Sequence, residues 1–555
     1  MASDDRMPGG RRPNFIIMCM DQWDAHMELP AGLRLPAMER MEERGVTFEK
    51  QYCTVPMCTA SRAAMWTGVH AKNTGLWDNL NFSWIHELSP DVPTIGHMLR
   101  EQGYYTAFKG KWHLSDVPMS EDALERYGFA DFQAWGEMFG TPLQGAMLDG
   151  TVAFETVDWL RHRAPKDQPW FLISSMVNPH DVMYMRTEPF IPPRENGTMK
   201  RAVHLPQTLG MFEEWDVTYP PNFDDDLAGQ PHGVTSYRNN IEWNYGAVPD
   251  DRPDLWLQRR NYLLNCLRLV DQEFGKVLDE IERQGLWDNT VVVLTSDHGE
   301  MNGAHRLAQK GGIHYEEAAV VNMSVAVPGG PAGTRTRAVG SHLDLAPTVL
   351  ELAGLSQEDI ARRYPQLRGR SLAEVLHDPD VPGPRGSIDE PGAGALLCWD
   401  GLFMLDAEWS VSGALRSMVD LPHDRRDASL LEAGEKYGAP DFSLRTFYRA
   451  VVDGRYKLVR WFSPEDYETP RDVDDLLTRS DLSLHDLWND PGELVNLADP
   501  TRVEFDRGLV AALLDKLNAL IDWELGDDSC PFELDMFGTR ELVYTRTSAA
   551  GTRTS

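Results

Sequence analysis

Between Pro56 and Gly68 the chain reads Pro-Met-Cys-Thr-Ala-Ser-Arg-Ala-Ala-Met-Trp-Thr-Gly, which sets one thiol, Cys58, just ahead of a helix start and one guanidinium, Arg62, four residues on. A helix N-terminus and a nearby guanidinium both favour an anion. A nucleophile here is therefore activated, and a charged transition state beside it is stabilised. Read in isolation, the same residues also suit a structural cysteine in a capping turn. Four further polar motifs bear on the choice: Asp21-Gln22; Gly110-Lys111-Trp112-His113-Leu114; Asn178-Pro179-His180; and Thr295-Ser296-Asp297-His298-Gly299-Glu300, followed by Gly303, His305, Lys310 and Tyr315-Glu316-Glu317.

Each of these motifs has an element that must position it. Asn14 to Met20 is a continuous apolar run of strand length ending at Asp21, which suits a central parallel strand buried on both faces. Leu35, Met38 and Met41 mark a short amphipathic helix that Gly45 ends; Thr94 caps a helix over Ile95 to Gln102, and Tyr104 to Lys109 is the next strand. Trp170 to Val177 is another buried strand, running into Asn178. The clearest helical stripe lies within 257–284, on Leu263, Cys266, Leu267, Val270, Phe274, Val277, Leu278 and Ile281, and it feeds a strand from Thr290 to Thr295. Helices alternating with buried strands predict an α/β fold with a mostly parallel sheet sandwiched by helices. Ligands bind beyond the carboxyl ends of such strands, where Asp21, Lys111, His180 and Asp297 fall.

Residues 181–256, rich in Pro, Asn, Asp and Trp, read as a long excursion over the sheet that helps form a pocket. A Gly/Pro/Asp-rich stretch over 376–396 marks a boundary. Beyond it, Asp453-Gly454 between two strand-like runs signals a hairpin, and Leu509, Leu513, Leu517, Leu520 and Ile521 give a closing helix. The expected organisation is a catalytic α/β domain over 1–385, a smaller C-terminal antiparallel α+β subdomain over 386–545, and a polar tail over 546–555.

The motifs, in this order and across nearly the whole chain, resemble type I (formylglycine-dependent) sulfatases of the alkaline-phosphatase-like superfamily. The C-terminal Tyr456-Lys457-Leu458-Val459 and His485-Asp486-Leu487-Trp488-Asn489-Asp490-Pro491-Gly492-Glu493 resemble that family's small subdomain. The resemblance implies that a formylglycine-generating enzyme oxidises Cys58 to formylglycine, although Ala60 stands where proline is usual. It also implies one divalent metal at Asp21, Gln22, Asp297 and His298 beside residue 58. Calcium is the family's ion; Gln22 and His298, in place of the commoner Asp and Asn, make manganese the alternative. Arg62 would hold the charge of the aldehyde hydrate, Lys111 and Lys310 would contact the sulfuryl oxygens, His113 would serve the elimination step and His180 the leaving oxygen. Asn79 is a further sulfuryl contact, His305 and Glu300 are supports for the site, and Trp77, Trp84 and Trp243 are candidate pocket walls.

The expected activity is hydrolysis of a sulfate ester, as in arylsulfatases and choline-sulfatases. Rival readings are a phosphonate or phosphate ester hydrolase on the same scaffold, a sulfuryl-transferring biosynthetic enzyme, and a catalytically silent binding protein. A net charge of −33 over 555 residues argues against nucleic acid and favours a small or partly cationic ester over a sulfated polysaccharide. The six scattered cysteines form neither a thiolate zinc motif nor a disulfide framework. With no membrane-spanning run and no cleavage site after the basic N-terminus, the expected location is cytoplasmic. A homo-oligomer is possible.

Overall fold

Seven strands build the larger sheet: β1 (Asn14–Asp21), β2 (Val46–Tyr52), β3 (Tyr105–Gly110), β4 (Trp170–Pro179), β5 (Thr290–Ser296), β6 (Met323–Ala326) and β7 (Thr334–Ser341), in the spatial order β3-β4-β1-β5-β6-β2-β7. The computed structural model describes residues 12–185, 194, 211, 213–386 and 393–538. The expected polar tail lies outside these residues, as do parts of the 181–256 excursion and of the 376–396 boundary. All pairings in this sheet are parallel except those of β6, which runs antiparallel to both β5 and β2.

Every residue of β1, β4 and β5 is buried, as continuous apolar runs in a doubly covered sheet require. Successive side chains of β1 alternate between two cores: Phe15, Ile17 and Cys19 enter one, and Ile16, Met18 and Met20 the other. The second core is closed by the helix Asp254–Arg283, which presents Leu263, Val270, Phe274 and Ile281 to it. The register of β1 on β5, with Cys19 opposite Thr295 and Met20 opposite Ser296, brings Asp21 and Asp297 to the same edge of the sheet.

A second, antiparallel sheet follows, from β8 (Ala395–Trp399), β9 (Phe447–Val452), β10 (Tyr456–Phe462) and β11 (Asp481–Asp486), ordered β11-β10-β9-β8. The Asp453-Gly454 hairpin joins β9 to β10, with Gly454 at φ 96°, a conformation that glycine adopts without penalty. The closing helix is Arg507–Leu520. This sheet shares the first core through Leu396, Val451 and Leu458, and the Cys398 N–H donates to the Thr54 carbonyl at 2.9 Å, four residues before Cys58. Among the described residues no helix is long and apolar enough to cross a membrane.

Candidate active site

Cys58 is the first residue of the helix Cys58–Thr67, one position further in than the sequence suggests, and all ten residues of that helix are buried. Its Sγ lies 3.1 Å from His298 Nε2 and 3.6 Å from Asp21 Oδ1. Asp21, Cys58, Asp297 and His298 each offer a ligand atom, and these atoms lie within 4.8 Å of one another.

The two carboxylates divide their oxygens between structure and site. Asp21 Oδ2 accepts from Arg62 at 3.0 Å and from Lys111 Nζ at 2.7 Å, while Asp297 Oδ2 accepts from Arg62 Nε at 2.9 Å. The two Oδ1 atoms both lie 3.7 Å from His298 Nε2. Asp297 Oδ1 also accepts the backbone N–H groups of His298, at 2.9 Å, and Gln22, at 3.2 Å. His298 Nδ1 donates to the Gly299 carbonyl at 2.9 Å, which leaves Nε2 as the lone-pair atom facing the carboxylates. Two anionic oxygens, an imidazole nitrogen and the residue-58 position, oriented by partners behind them, are a donor set that fits a divalent cation. Gln22 turns its amide away from this group: its oxygen accepts from Lys310 Nζ and its nitrogen donates to Glu300, which Arg259 holds at 2.9 Å.

Arg62 departs from the expected arrangement. Its donors go to Asp21, Asp297, the Lys111 carbonyl at 2.7 Å and Ser175 Oγ at 2.8 Å, so it ties β1, β3, β4 and β5 together at the site. One turn into the helix, the guanidinium reaches past Cys58 to the carboxylates that β1 and β5 deliver. Lys310 and His180 line the cavity beside Cys58; Lys111 lies beneath its Gly140 wall. Gly140 has φ 80°, and a Cβ there would meet His180 Nδ1 and Lys111 Nζ at 3.0 Å each, so the absence of a side chain keeps that space open. His113 lines the same cavity, with Phe139 edge-on to its ring at 5.7 Å. Nδ1 of His113 and Nδ1 of His180 are buried without a hydrogen-bond partner.

Electrostatics at this floor follow from burial and mutual pairing. Burial opposes ionisation of Asp21, yet Lys111 and Arg62 hold its carboxyl well below the usual range. Burial and the charge of Asp21 hold Asp297 above that range. Burial and Asp21 push the Cys58 thiol up, but Lys111, Lys310 and His298 more than offset them and the thiol titrates below its ordinary value. Burial, reinforced by Lys111 at His113 and by Lys310 and Lys111 at His180, holds both imidazoles well below their ordinary value, so both are neutral near pH 7. Three cations, Arg62, Lys111 and Lys310, stand against two carboxylates. The floor therefore accepts an anion despite the strongly negative chain.

The cavity above the floor has a volume of about 440 Å³. Phe82, Phe139, Tyr184, Tyr245 and Phe403 give it an aromatic wall, with Arg416 and Asp420 at its polar side. Met183, Tyr184 and Tyr245 come from the 181–256 excursion, as expected; Phe403, Arg416 and Asp420 come from the C-terminal part of the chain. Asn79 also lines the cavity, while its Oδ1 accepts from the Thr59 N–H at 3.2 Å. His305 sits elsewhere, stacked on Tyr315 at 3.8 Å and paired with Asp225 at 2.6 Å. Trp77 packs on Phe532, Trp84 stacks on Phe82 behind the wall, and Trp243 lies under Arg194. Ser61, inside the Cys58 motif, links the Asp297 carbonyl to His342 Nδ1 through its hydroxyl, while sequence reasoning passed over Ser175 and Gly140. A lone serine or glycine carries no signal of such a role.

Comparison with known proteins gives this geometry a family. A family model described as Sulfatase matches residues 13–355. The chain is 26% identical over 380 residues to the uncharacterized sulfatase YidJ of Escherichia coli (strain K12), covering 63% of this chain and 69% of the relative. It is 26% identical over 402 residues to a choline-sulfatase of Rhizobium meliloti (strain 1021), covering 66% and 72%. The crystal structure of a phosphonate monoester hydrolase of Agrobacterium radiobacter superposes with a TM-score of 0.59 at 18% identity, over 88% of this chain and 92% of that one, a likeness of fold.

Proposed function

The chain belongs to the sulfatase family, and from that premise we propose that it hydrolyses a small-molecule sulfate ester at the Cys58 site. In this reading a formylglycine-generating enzyme converts Cys58 to formylglycine, and Asp21, Asp297 and His298 hold one calcium or manganese ion next to it, with Gln22 joining them once its amide oxygen turns from Lys310. The observation that carries the proposal is that Cys58 Sγ touches both Asp21 and His298 while the same residue faces a cavity lined by His113, His180 and Lys310.

A divalent ion held by Asp21, Asp297 and His298 would supply a Lewis acid that offsets repulsion between the anionic ester and an electron-rich nucleophile. A formylglycine at residue 58 would supply the nucleophilic oxygen, and its hydrate a second hydroxyl through which sulfate could be released. Lys310, in the cavity, and Lys111, beneath Gly140, meet the sulfuryl oxygens with fixed positive charge in a water-poor setting. Neutral His113 takes a proton at its free ring nitrogen during sulfate release, and His180, across the cavity, stabilises the departing alcohol oxygen. Arg62 serves as a positioning residue that keeps both carboxylates turned toward His298. Asn79 is kept as a sulfuryl contact from the cavity edge.

The proposal extends to organisation: residues 1–385 form the catalytic domain and 386–545 the subdomain that lends the cavity Phe403, Arg416 and Asp420. All six cysteines are free, which supports a reducing, cytoplasmic setting. A phosphonate or phosphate ester hydrolase is the second reading, supported by the Asp21-Gln22 and Asp297-His298 pairs in the sequence and by the shared fold of the phosphonate monoester hydrolase.

Two measurements test the proposal together. A mass spectrum of the peptide covering Cys58 is expected to contain the aldehyde, and initial rates are expected to be higher on an aryl sulfate than on the matching aryl phosphate or phosphonate. Cys58→Ala should fold and lose turnover. Parent-like sulfatase activity in purified Cys58→Ala sinks the mechanism; a reversed substrate preference moves the assignment to the second reading.

A further inference from the structure

A second cluster of ligand-type residues lies where the two sheets meet. His314 follows Lys310 on the loop leaving the site described above, His485 lies on β11, and Glu493 lies on the turn after β11. All three are buried, and one ligand atom from each lies within 4.8 Å of the others. β10 contributes Lys457, directly opposite His485 in the register of the small sheet.

The hydrogen bonding of these residues is incomplete in a particular way. His485 Nδ1 donates to the Val495 carbonyl at 3.1 Å, so its Nε2 carries the lone pair, and that atom is buried without a partner. Neither ring nitrogen of His314 has a hydrogen-bond partner, although the residue is fully buried between Tyr315, Tyr448 and Trp461. Its Nδ1 is 3.9 Å from Glu493 Oε1, beyond hydrogen-bond reach. A neutral imidazole has one donor and one acceptor to satisfy, and buried polar atoms in folded proteins are seldom left unsatisfied. Neighbouring His305 is the contrast: Asp225 and Asn222 take its two ring nitrogens at 2.6 and 2.9 Å.

We propose that His314, His485 and Glu493 hold a second divalent ion, of the zinc type, that fastens the small antiparallel sheet to the loop carrying Lys310. Two imidazole nitrogens and a carboxylate oxygen are a donor set that zinc prefers over calcium or magnesium, with water taking the fourth position. The Val495 carbonyl behind His485 supplies the outer hydrogen bond that fixes a ligating ring. Glu493 Oε1 accepts from Lys457 Nζ at 2.8 Å and Oε2 from the Glu316 N–H at 2.8 Å, so the carboxylate meets a cation with its remaining lone pairs, and the Lys457 charge is shared with Glu316 at 2.8 Å. Carboxylates of Glu316, Glu317, Glu493 and Asp225 outnumber the cations Lys457 and Lys50 here.

The inference does not depend on the reaction assigned to Cys58, and its test is built to stay independent of it. The full-length Asp297→Asn protein, weakened at the first metal site, is stripped with a chelator, reloaded with Zn²⁺ alone and desalted. About one equivalent should remain bound, and adding His485→Phe to this variant should remove it. The Asp297→Asn protein should also melt several degrees higher with Zn²⁺ than without. Loading it with Co²⁺ should give the visible absorption of a low-coordinate ion with nitrogen donors, a readout that needs no second variant should His485→Phe fail to fold. Retention of no zinc by Asp297→Asn, unchanged retention after His485→Phe, or a cobalt spectrum of the aquo ion overturns the proposal.

Discussion

The buried ionic clusters around Arg449 and around Arg62 differ in what they leave unpaired. Arg449, on β9 of the small sheet, bonds Asp528 through Nε at 3.0 Å and Nη2 at 2.7 Å, and reaches Asp400 at 2.9 Å and the Tyr467 hydroxyl at 2.6 Å. Lys72 closes the group on Asp528. Around Arg62 the carboxylates are equally buried, yet Asp21 Oδ1, Asp297 Oδ1 and His298 Nε2 face one another, and Cys58, Lys310 and His180 open onto a cavity. Buried charge alone therefore does not mark a reactive site. Unspent ligand capacity next to reachable space does, and the His314–His485–Glu493 group, sealed but unsatisfied, stands between the two cases.

If that contrast holds, damage to the closed cluster costs stability and damage to the open one costs rate. The largest effect is expected for Asp528→Asn, which leaves Arg449 and Lys72 short of a buried counter-charge and should destabilise the fold by about 3–5 kcal/mol. Burial works against the Asp528 charge, but Arg449 and Lys72 overcome it and hold the carboxyl below its ordinary value. A depressed folded-state pKa contributes stability that is complete above the unfolded value of about 3.9 and lost as pH falls through the folded one. Denaturant melts should thus separate parent and variant by a constant gap from neutral pH down to about 4, narrowing only in stronger acid. Activity per folded molecule should not change.

Lys111→Ala is the converse. It removes a fixed cation from the floor and should lower kcat/KM by roughly 10²–10³, the scale for one preorganised electrostatic contact. Asp21 keeps Arg62 at 3.0 Å, so the loss of stability should be smaller than in Asp528→Asn. Equal stability losses in Asp528→Asn and Lys111→Ala, with parent-like rates in both, would erase the distinction between the clusters.

Legibility of the chain follows the same division. β1, β4 and β5 were readable because each is an unbroken apolar run, and Asp21 and Asp297 because each sits at the end of one. The helix Asp254–Arg283 declared itself by its stripe. The helices Gln144–His162 and His232–Tyr245 did not: the first has glycines at 145 and 150 and an exposed Phe154, and the second buries Asn240 and Asn244 to bond Ser410 and the Phe403 carbonyl. Buried asparagines break the periodicity that sequence reading relies on. At the site, the charged and imidazole groups of the floor were legible as motifs. Gly140, Ser175 and the aromatic wall were not, because tertiary contact alone brings those segments to one cavity. The redirection of Arg62 onto two carboxylates was hidden too, since spacing along a helix places a guanidinium without saying which oxygens it will meet.

The wall yields the smallest and most selective effect. Phe139 is 40% exposed, an unusual position for a large apolar ring, and it lies both on the cavity and edge-on to His113. If it contacts the alcohol portion of the ester, truncation to alanine removes apolar contact worth about 1 kcal/mol at ~25 cal/mol per Å², or roughly a fivefold rise in KM for a bulky sulfate ester. A minimal alkyl sulfate, too small to reach the ring, should show little change in KM, and kcat should stay near the parent value for both substrates. Steady-state kinetics on the two esters separate this from the alternative in which Phe139 positions the His113 ring. In that case Phe139→Ala lowers kcat by a similar factor for both esters and leaves the ratio of their KM values unchanged, and Phe139 then belongs with the floor.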